Sequence, residues 1–205
     1  MVRFVNIPSI QIAVSMMESS GKMNPGPWIE HSKVAAGIAK AIAERCPEMD
    51  ADAAYVLGLL HDIGRREGYS HIRHVLDGYN YLMKEGYPDA AEICLTHSFP
   101  TQDIAEYVGD IDCSQDDFEF IDNFLKSKSY TDYDKLIQLC DALSYAQGAV
   151  LMEKRLVNVV MRYGLCEKII NKWKMYFDLK QYFDILSNCN VYTLLDNIVN
   201  NTFEW

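Results

Sequence analysis

The sequence predicts an all-α protein that folds as a compact helical bundle. In most segments apolar residues recur every three to four positions, which is the spacing of one buried helix face. No segment shows the alternation of apolar and polar residues that a half-buried strand requires. With 49% hydrophobic residues among 205, the chain has enough apolar side chains to bury a sizeable core.

In the first half of the chain, prolines and glycines separate five predicted helices. They are expected over about residues 9–20, 28–45, 50–63, 71 or 74 to 84, and 88–97. Pro27 suits the first turn of the second helix, and Pro47 ends it. Asp50 or Asp52 is expected to cap the third helix, and Gly64 to close it. The third helix is almost wholly apolar, so we expect it to be central and covered on all sides.

The second half of the chain begins with an irregular, acidic region over 98–117, which we interpret as the rim of a site or as a lid. A short helix is expected over 118–125. Asp132 or Asp134 is then expected to cap a helix that continues through 135–147. Further helices are predicted near 152–163, 166–186 and 191–200.

We predict a single domain over 1–205. Its core of about 28–150 carries the candidate functional residues, and the helices of 151–205 are expected to pack on that core. The sequence leaves the oligomeric state open, with a homodimer as one option.

Composition narrows the class of protein. The net charge of −10 argues against an extended nucleic-acid-binding surface, although a bound metal ion can still attract an anionic substrate. No window is long and apolar enough to predict a membrane span. The six cysteines are scattered without a C-x-x-C pair and no secretion signal is recognised, so we expect a reduced, cytoplasmic protein.

Residues 61–78, HDIGRREGYSHIRHVLDG, are predicted to form the functional centre, since they contain three of the five histidines. His61 and Asp62 are expected in the last turn of the buried third helix, where a charged carboxylate requires a cation or hydrogen-bond donors. His71 and His74 are three residues apart, a spacing that allows both to face one side of a helix.

Three residues outside this stretch are further candidates: His31, His97 and Asp141. Asp141 falls within an apolar helix face, where burial of a carboxylate is unfavourable unless a cation or a hydrogen-bond donor is its partner. Imidazole and carboxylate together suit divalent first-row metals. Two such ions would clamp a phosphoryl group and activate a water. Four neutral histidines, two aspartates and two divalent cations leave about two positive charges, which a phosphate ester would offset.

The order of His31, the adjacent His61 and Asp62, and Asp141 resembles the HD superfamily of metal-dependent phosphohydrolases, in which HDIG is a common form of the central motif. The resemblance covers about residues 28–150 and implies an all-α HD domain in which these four residues hold one metal ion. It also implies hydrolysis of a phosphomonoester or phosphodiester in a nucleotide or other small phosphorylated metabolite.

His74 and His97 resemble the extra histidines of two-metal HD subgroups, which include the HD-GYP cyclic dinucleotide phosphodiesterases and the symmetrical diadenosine tetraphosphate hydrolases. By this resemblance His74 and His97 bind a second ion, and Asp62 lies between the two ions. The spacing leaves one-metal and two-metal sites both open. The ions implied are divalent Fe, Mn, Co, Ni or Zn.

The chain also departs from those subgroups. His97 is followed by a serine, and the local GYP at 86–88 precedes it, which disfavours a cyclic dinucleotide phosphodiesterase. Arg65 stands where a lysine often follows HDIG. Asp62 and Arg65 are both predicted to be catalytic, and Arg65 is the predicted contact to substrate phosphate. His71 has no support from the motif and is interpreted as a surface residue or as a support behind the ligands.

Two alternative functions remain open at this point. Some HD-type di-iron proteins are oxygenases that act on small polyols or phosphonates, so the same ligands could serve oxygen chemistry. A non-catalytic nucleotide-binding or signalling module that keeps the ligands structurally is the second alternative.

Overall fold

The computed structural model describes residues 6–165 and 167–203, and within them the predicted all-α fold is confirmed. Ten α-helices account for most of these residues. They are α1 (Ile10–Met23), α2 (Trp28–Ala43), α3 (Ala51–Leu60), α4 (Arg73–Lys84), α5 (Pro88–Thr96), α6 (Gln115–Ser127), α7 (Asp132–Ala142), α8 (Met152–Tyr163), α9 (Ile169–Leu186) and α10 (Ile198–Phe203). A short antiparallel hairpin joins α7 to α8 and consists of β1 (Ser144–Tyr145) and β2 (Gly148–Ala149).

Helix α3 lies at the centre of the bundle, as its apolar sequence predicts. It packs against α1, α2, α5 and α7, and every residue from Val56 to Leu60 is buried. Gly58 permits a close approach to α2, because a Cβ at this position would lie 2.8 Å from the Cα of Ala36. The tight pairing of α2 with α3 places the ring centroids of His31 and His61 5.3 Å apart.

The C-terminal helices pack onto the same core. Leu156 of α8, Phe183 of α9 and Ile198 of α10 belong to one buried apolar cluster with residues of α2, α3 and α7. A second, smaller cluster lies between α4, α5 and α6 and contains the buried side chain of Phe99. The helices of the C-terminal part are therefore fixed against those that carry the HDIG sequence.

The single domain over 1–205 stays a prediction, and its ends at 1–5 and 204–205, like Cys166, lie outside the described residues. Among the described helices, none combines the length and the hydropathy needed to cross a bilayer.

The predicted end of the third helix is wrong. Helix α3 stops one residue before His61, which occupies the C-cap position, and the chain then tightens into a 3-10 helix, Ile63–Glu67. Gly64 therefore lies inside this 3-10 helix and does not cap α3. Gly64 is needed because the chain here lies very close to α4. A Cβ on Gly64 would lie 2.0 Å from the backbone oxygen of His74.

The predicted cap of α7 is also wrong. Thr131 caps this helix, and its hydroxyl accepts from the backbone N–H of Asp134 while the Asp134 carboxylate accepts from the backbone N–H of Thr131. Helix α7 ends at Ala142 instead of continuing through 147, because the chain turns into the hairpin. Gly148 permits that turn with a φ of 143°.

Other boundaries differ by smaller amounts. Helix α6 starts at Gln115, where Ser114 forms a capping box, so the irregular region is shorter than predicted. The last predicted helix divides into a 3-10 helix, Val191–Leu194, and α10. Helix α9 starts at Ile169, and the residue at which its predicted start falls, 166, lies outside the described ranges.

Candidate metal centre

His61 and Asp62 enter the site where the chain leaves α3. The Nδ1 atom of His61 donates to the backbone oxygen of Gly58 at 2.7 Å, which turns Nε2 towards the site. That Nε2 atom is fully buried and has no hydrogen-bond partner among the described residues. The end of a buried helix thus presents one imidazole lone pair and one carboxylate in adjacent positions.

Four histidines share this arrangement. Each Nδ1 donates to a backbone oxygen: His31 to Ser144 at 3.1 Å, His61 to Gly58 at 2.7 Å, His97 to Cys94 at 2.9 Å, and His74 to His71. A carbonyl oxygen only accepts, and a neutral imidazole carries one N–H, so each Nε2 is left as an unprotonated acceptor. Metal-binding histidines are oriented in this way in proteins.

The acceptor atoms converge on two overlapping groups. The ligand atoms of His31, His61 and Asp62 lie within 4.8 Å of one another, and so do those of Asp62, His74 and His97. Asp62 belongs to both groups, as expected for a carboxylate between two ions. The structure therefore brings five of the six predicted ligands into these two groups.

Asp141 lies beside the first group. Its Oδ1 atom is 3.1 Å from Nε2 of His31, and its position near the end of α7 brings it within 3.5 Å of Arg155 on α8. Burial favours the neutral form of Asp141, but His31 and the Arg155 guanidinium outweigh it and hold its pKa well below the ordinary value. Asp141 is thus an anion at the edge of the site.

The close contacts between acceptors fit a bound cation. Nε2 of His74 is 3.3 Å from Nε2 of His97 and 3.2 Å from Oδ1 of Asp62, and none of these atoms carries a proton to share when both imidazoles are neutral. Asp62 Oδ1 is also buried without a hydrogen-bond donor of adequate geometry among the described residues. Buried polar atoms in native proteins almost always have a partner, and a divalent cation would provide one here.

The protonation states suit metal binding as well. Burial lowers the pKa of His61 to about 4, and burial together with the Arg65 charge lowers the pKa of His74. Both imidazoles are therefore neutral near pH 7, which is the form that binds metals. Burial opposes the charge on Asp62, but Arg65, whose Nε donates to Oδ2 at 2.7 Å, holds the pKa of this carboxyl well below its ordinary value.

His71 takes a supporting position. Its backbone oxygen accepts the bond from His74 Nδ1, while its ring contacts those of Tyr69 and Tyr163 at centroid distances of 5.4 and 5.8 Å. Its backbone N–H donates to Asp112 at 2.6 Å, which fastens this turn to the acidic region. The imidazole of His71 belongs to neither of the two ligand groups.

A cavity of about 600 Å³ opens directly above the ligands. Arg65 lines it, and the region after α5 contributes Tyr107 to its wall. Helices α8 and α9 also line the cavity and supply Arg155, Arg162 and Lys172. Sequence reasoning missed these three cations, although Arg155 and Arg162, seven residues apart, had the spacing of one helix face.

The charge of this lining is opposite in sign to that of the chain. Among the described residues, four cationic side chains and two carboxylates line the cavity, whereas the whole chain carries a net charge of −10. Lys172 is buried, and its ammonium donates to the backbone oxygens of Ser98 at 2.9 Å and Glu106 at 3.4 Å. It thereby also fastens α9 to the acidic region.

Comparison with known families now identifies the fold. A sequence model of the HD domain matches residues 28–146, which is more than half of the chain. The chain belongs to the HD domain family. The match includes every predicted ligand from His31 to Asp141 and ends before α8. No curated protein and no solved structure matches the chain. HD domains are generally metal-dependent phosphohydrolases, and the buried His and Asp groups are compatible with a divalent metal.

Proposed function

We propose that this HD domain protein is a metal-dependent phosphohydrolase. Its substrate would be a phosphomonoester or phosphodiester of a nucleotide or another small phosphorylated metabolite. The observation that carries the proposal is the pair of ligand groups that share Asp62 at the floor of a cavity with a cationic wall. Metal ligands alone would suit several reactions, but cations gathered in an acidic chain favour an anionic substrate.

Each ligand has a defined part in this proposal. His31, His61 and Asp62, with Asp141 at their edge, would hold one ion, and Asp62, His74 and His97 a second. Divalent ions in such a site lower the pKa of a bound water and polarise a phosphoryl oxygen. The backbone oxygens that accept from each Nδ1 fix the imidazole planes, so that the site is organised before the substrate arrives.

Arg65 would act as the phosphate contact next to the ligands. Asp62 holds its Nε at 2.7 Å, and its Nη1 approaches the backbone oxygen of Ser70 at 3.5 Å, so the guanidinium plane is fixed at the cavity wall. A guanidinium held in this way offsets the charge that accumulates on the phosphoryl oxygens. Aromatic side chains of Tyr107, Tyr145 and Trp173 in the same wall would suit the base of a nucleotide.

The experiment is a substrate screen with protein loaded separately with Fe, Mn, Co, Ni or Zn. Release of inorganic phosphate from nucleotides and phosphorylated metabolites is measured, with metal-stripped protein as the control. We expect phosphate release from at least one substrate only when metal is present. Metal content per chain, with anomalous scattering, distinguishes one ion from two ions within about 4 Å.

The same screen distinguishes the alternatives. Iron-dependent oxygen consumption without phosphate release would favour an oxygenase and contradict the proposal. Tight nucleotide binding by metal-loaded protein with no turnover of any substrate would indicate a binding module and would also contradict it.

A further inference from the structure

Helix α8 lies along the wall of the cavity that contains the two ligand groups. Near its start, Nη2 of Arg155 is 3.5 Å from Oδ1 of Asp141, which borders the first group. At its end, the ring of Tyr163 contacts that of His71, whose backbone oxygen orients His74 of the second group. The helix therefore runs along the cavity from Asp141, at the edge of the first ligand group, to His71, which precedes α4.

One face of α8 points into the cavity. Arg155, Asn158, Val159 and Arg162 line it, and their spacings of three, four and seven residues are those of a single helix face. Val157 and Met161, on the other side, are 52% and 80% exposed. Seven residues advance an α-helix by about 10 Å, so the two arginines present their charges to the cavity at well separated points.

The two arginines have different surroundings. Arg155 is half-buried and tied to Asp141, so its charge is partly offset at the metal centre. Arg162 is exposed, lies over the ring of Tyr163 at 5.2 Å, and forms no ion pair with any described residue. Arg162 is thus an uncompensated cation facing the cavity.

We propose that α8 selects the substrate and that Arg162 binds a second anionic group, about 10 Å along the helix from Arg155, the arginine that contacts Asp141 at the edge of the metal centre. The substrate class is then a small metabolite with two separated phosphate groups, not a simple monophosphate. This inference rests on the proposed function for the identity of the first phosphate, but the binding of the second phosphate can be measured without turnover.

The experiment compares two probes of equal chain length: hexyl phosphate, and hexanediol with a phosphate on each terminal carbon. Binding of each to metal-loaded protein is measured by calorimetry. We expect wild-type protein to bind the bisphosphate about tenfold more tightly, since a charge-assisted bidentate contact is added. Arg162→Ala should bind the two probes equally, and Arg162→Lys should keep part of the preference.

Arg73→Ala is the matched control, because Arg73 is an exposed arginine outside the cavity and its loss changes the net charge by the same amount. It should keep the wild-type preference for the bisphosphate. Wild-type protein with no preference, or Arg162→Ala with an undiminished one, would overturn the inference.

Phosphate release from the two probes, and from the substrates of the screen, separates this inference from the proposed function. A preference that depends on Arg162, without phosphate release from any substrate, would leave the second anion site standing and overturn the hydrolase. Phosphate release that is equal for both probes and unchanged in Arg162→Ala would support the hydrolase and overturn the second anion site.

Discussion

The part of the chain that matches the HD domain, 28–146, and the part that follows it contribute to the same cavity in different ways. In the first part, each histidine ligand is fixed by a bond from Nδ1 to a backbone oxygen. In the second part, Arg155 and Arg162 reach the cavity through their place on one face of α8, and Arg162 forms no ion pair with another described residue. The first part could hold a metal ion, and in our proposal the second part contacts the substrate.

The difference suggests that chemistry and substrate choice are separated along the chain. A metal site requires fixed distances, and the predicted ligands lie at helix ends or on the buried faces of helices. A substrate contact tolerates movement, and an exposed arginine can adjust to its ligand. Variants in the first part should therefore lower the turnover of every substrate. Variants at Arg162 should lower only the turnover of substrates with two phosphate groups.

The largest expected effect is that of Asp62→Asn. Removal of the charge shared by both ligand groups should lower turnover by about a hundredfold or more and reduce the metal content per chain. Phosphate release and elemental analysis measure the two effects. Asp178→Asn, at an exposed position of α9, is the control and should behave as wild type. Undiminished turnover in Asp62→Asn would contradict a role for the HDIG aspartate.

A smaller effect is expected from Arg155→Ala. It should lower kcat/KM by about tenfold for all substrates, because a cation beside the scissile phosphate is lost. The metal content should stay at the wild-type level, since Asp141 keeps its contact with His31 and loses only a competing cation. Arg155→Lys should recover part of the activity. If Arg155→Ala impaired only substrates with two phosphates, the assignment of Arg155 and Arg162 to different phosphates would be wrong.

The smallest effect is expected from His71→Ala. The group of His71 that reaches the site is its backbone oxygen, and this substitution retains it. Metal content should therefore be unchanged, with turnover reduced by no more than about threefold and the free energy of unfolding lowered by about 1 kcal/mol. His74→Ala, which removes a predicted ligand from the first turn of α4, should by contrast lose metal. Loss of an ion from His71→Ala would show that its imidazole is a ligand after all.

The sequence alone determined the fold class and identified the six predicted metal ligands, but not the cations from α8 and α9 that line the cavity. Helical spacing and the apolar third helix predicted the bundle, and the order of His31, His61, Asp62 and Asp141 predicted the family. These features depend on local periodicity and on residue type, which a single sequence shows directly. The prediction that Gly64 caps α3 failed because its reason is a close contact with α4, which local sequence does not reveal.

Only the tertiary structure decided how the ligands are grouped and what covers them. The shared place of Asp62 depends on the packing of α2, α4 and α5 around the end of α3, since His31, His74 and His97 come from separate segments. The sequence assigns no role to Arg155 and Arg162, which line the cavity because of the way α8 packs on the core. Such contacts join residues far apart in the chain, so periodicity and motif spacing contain no information about them.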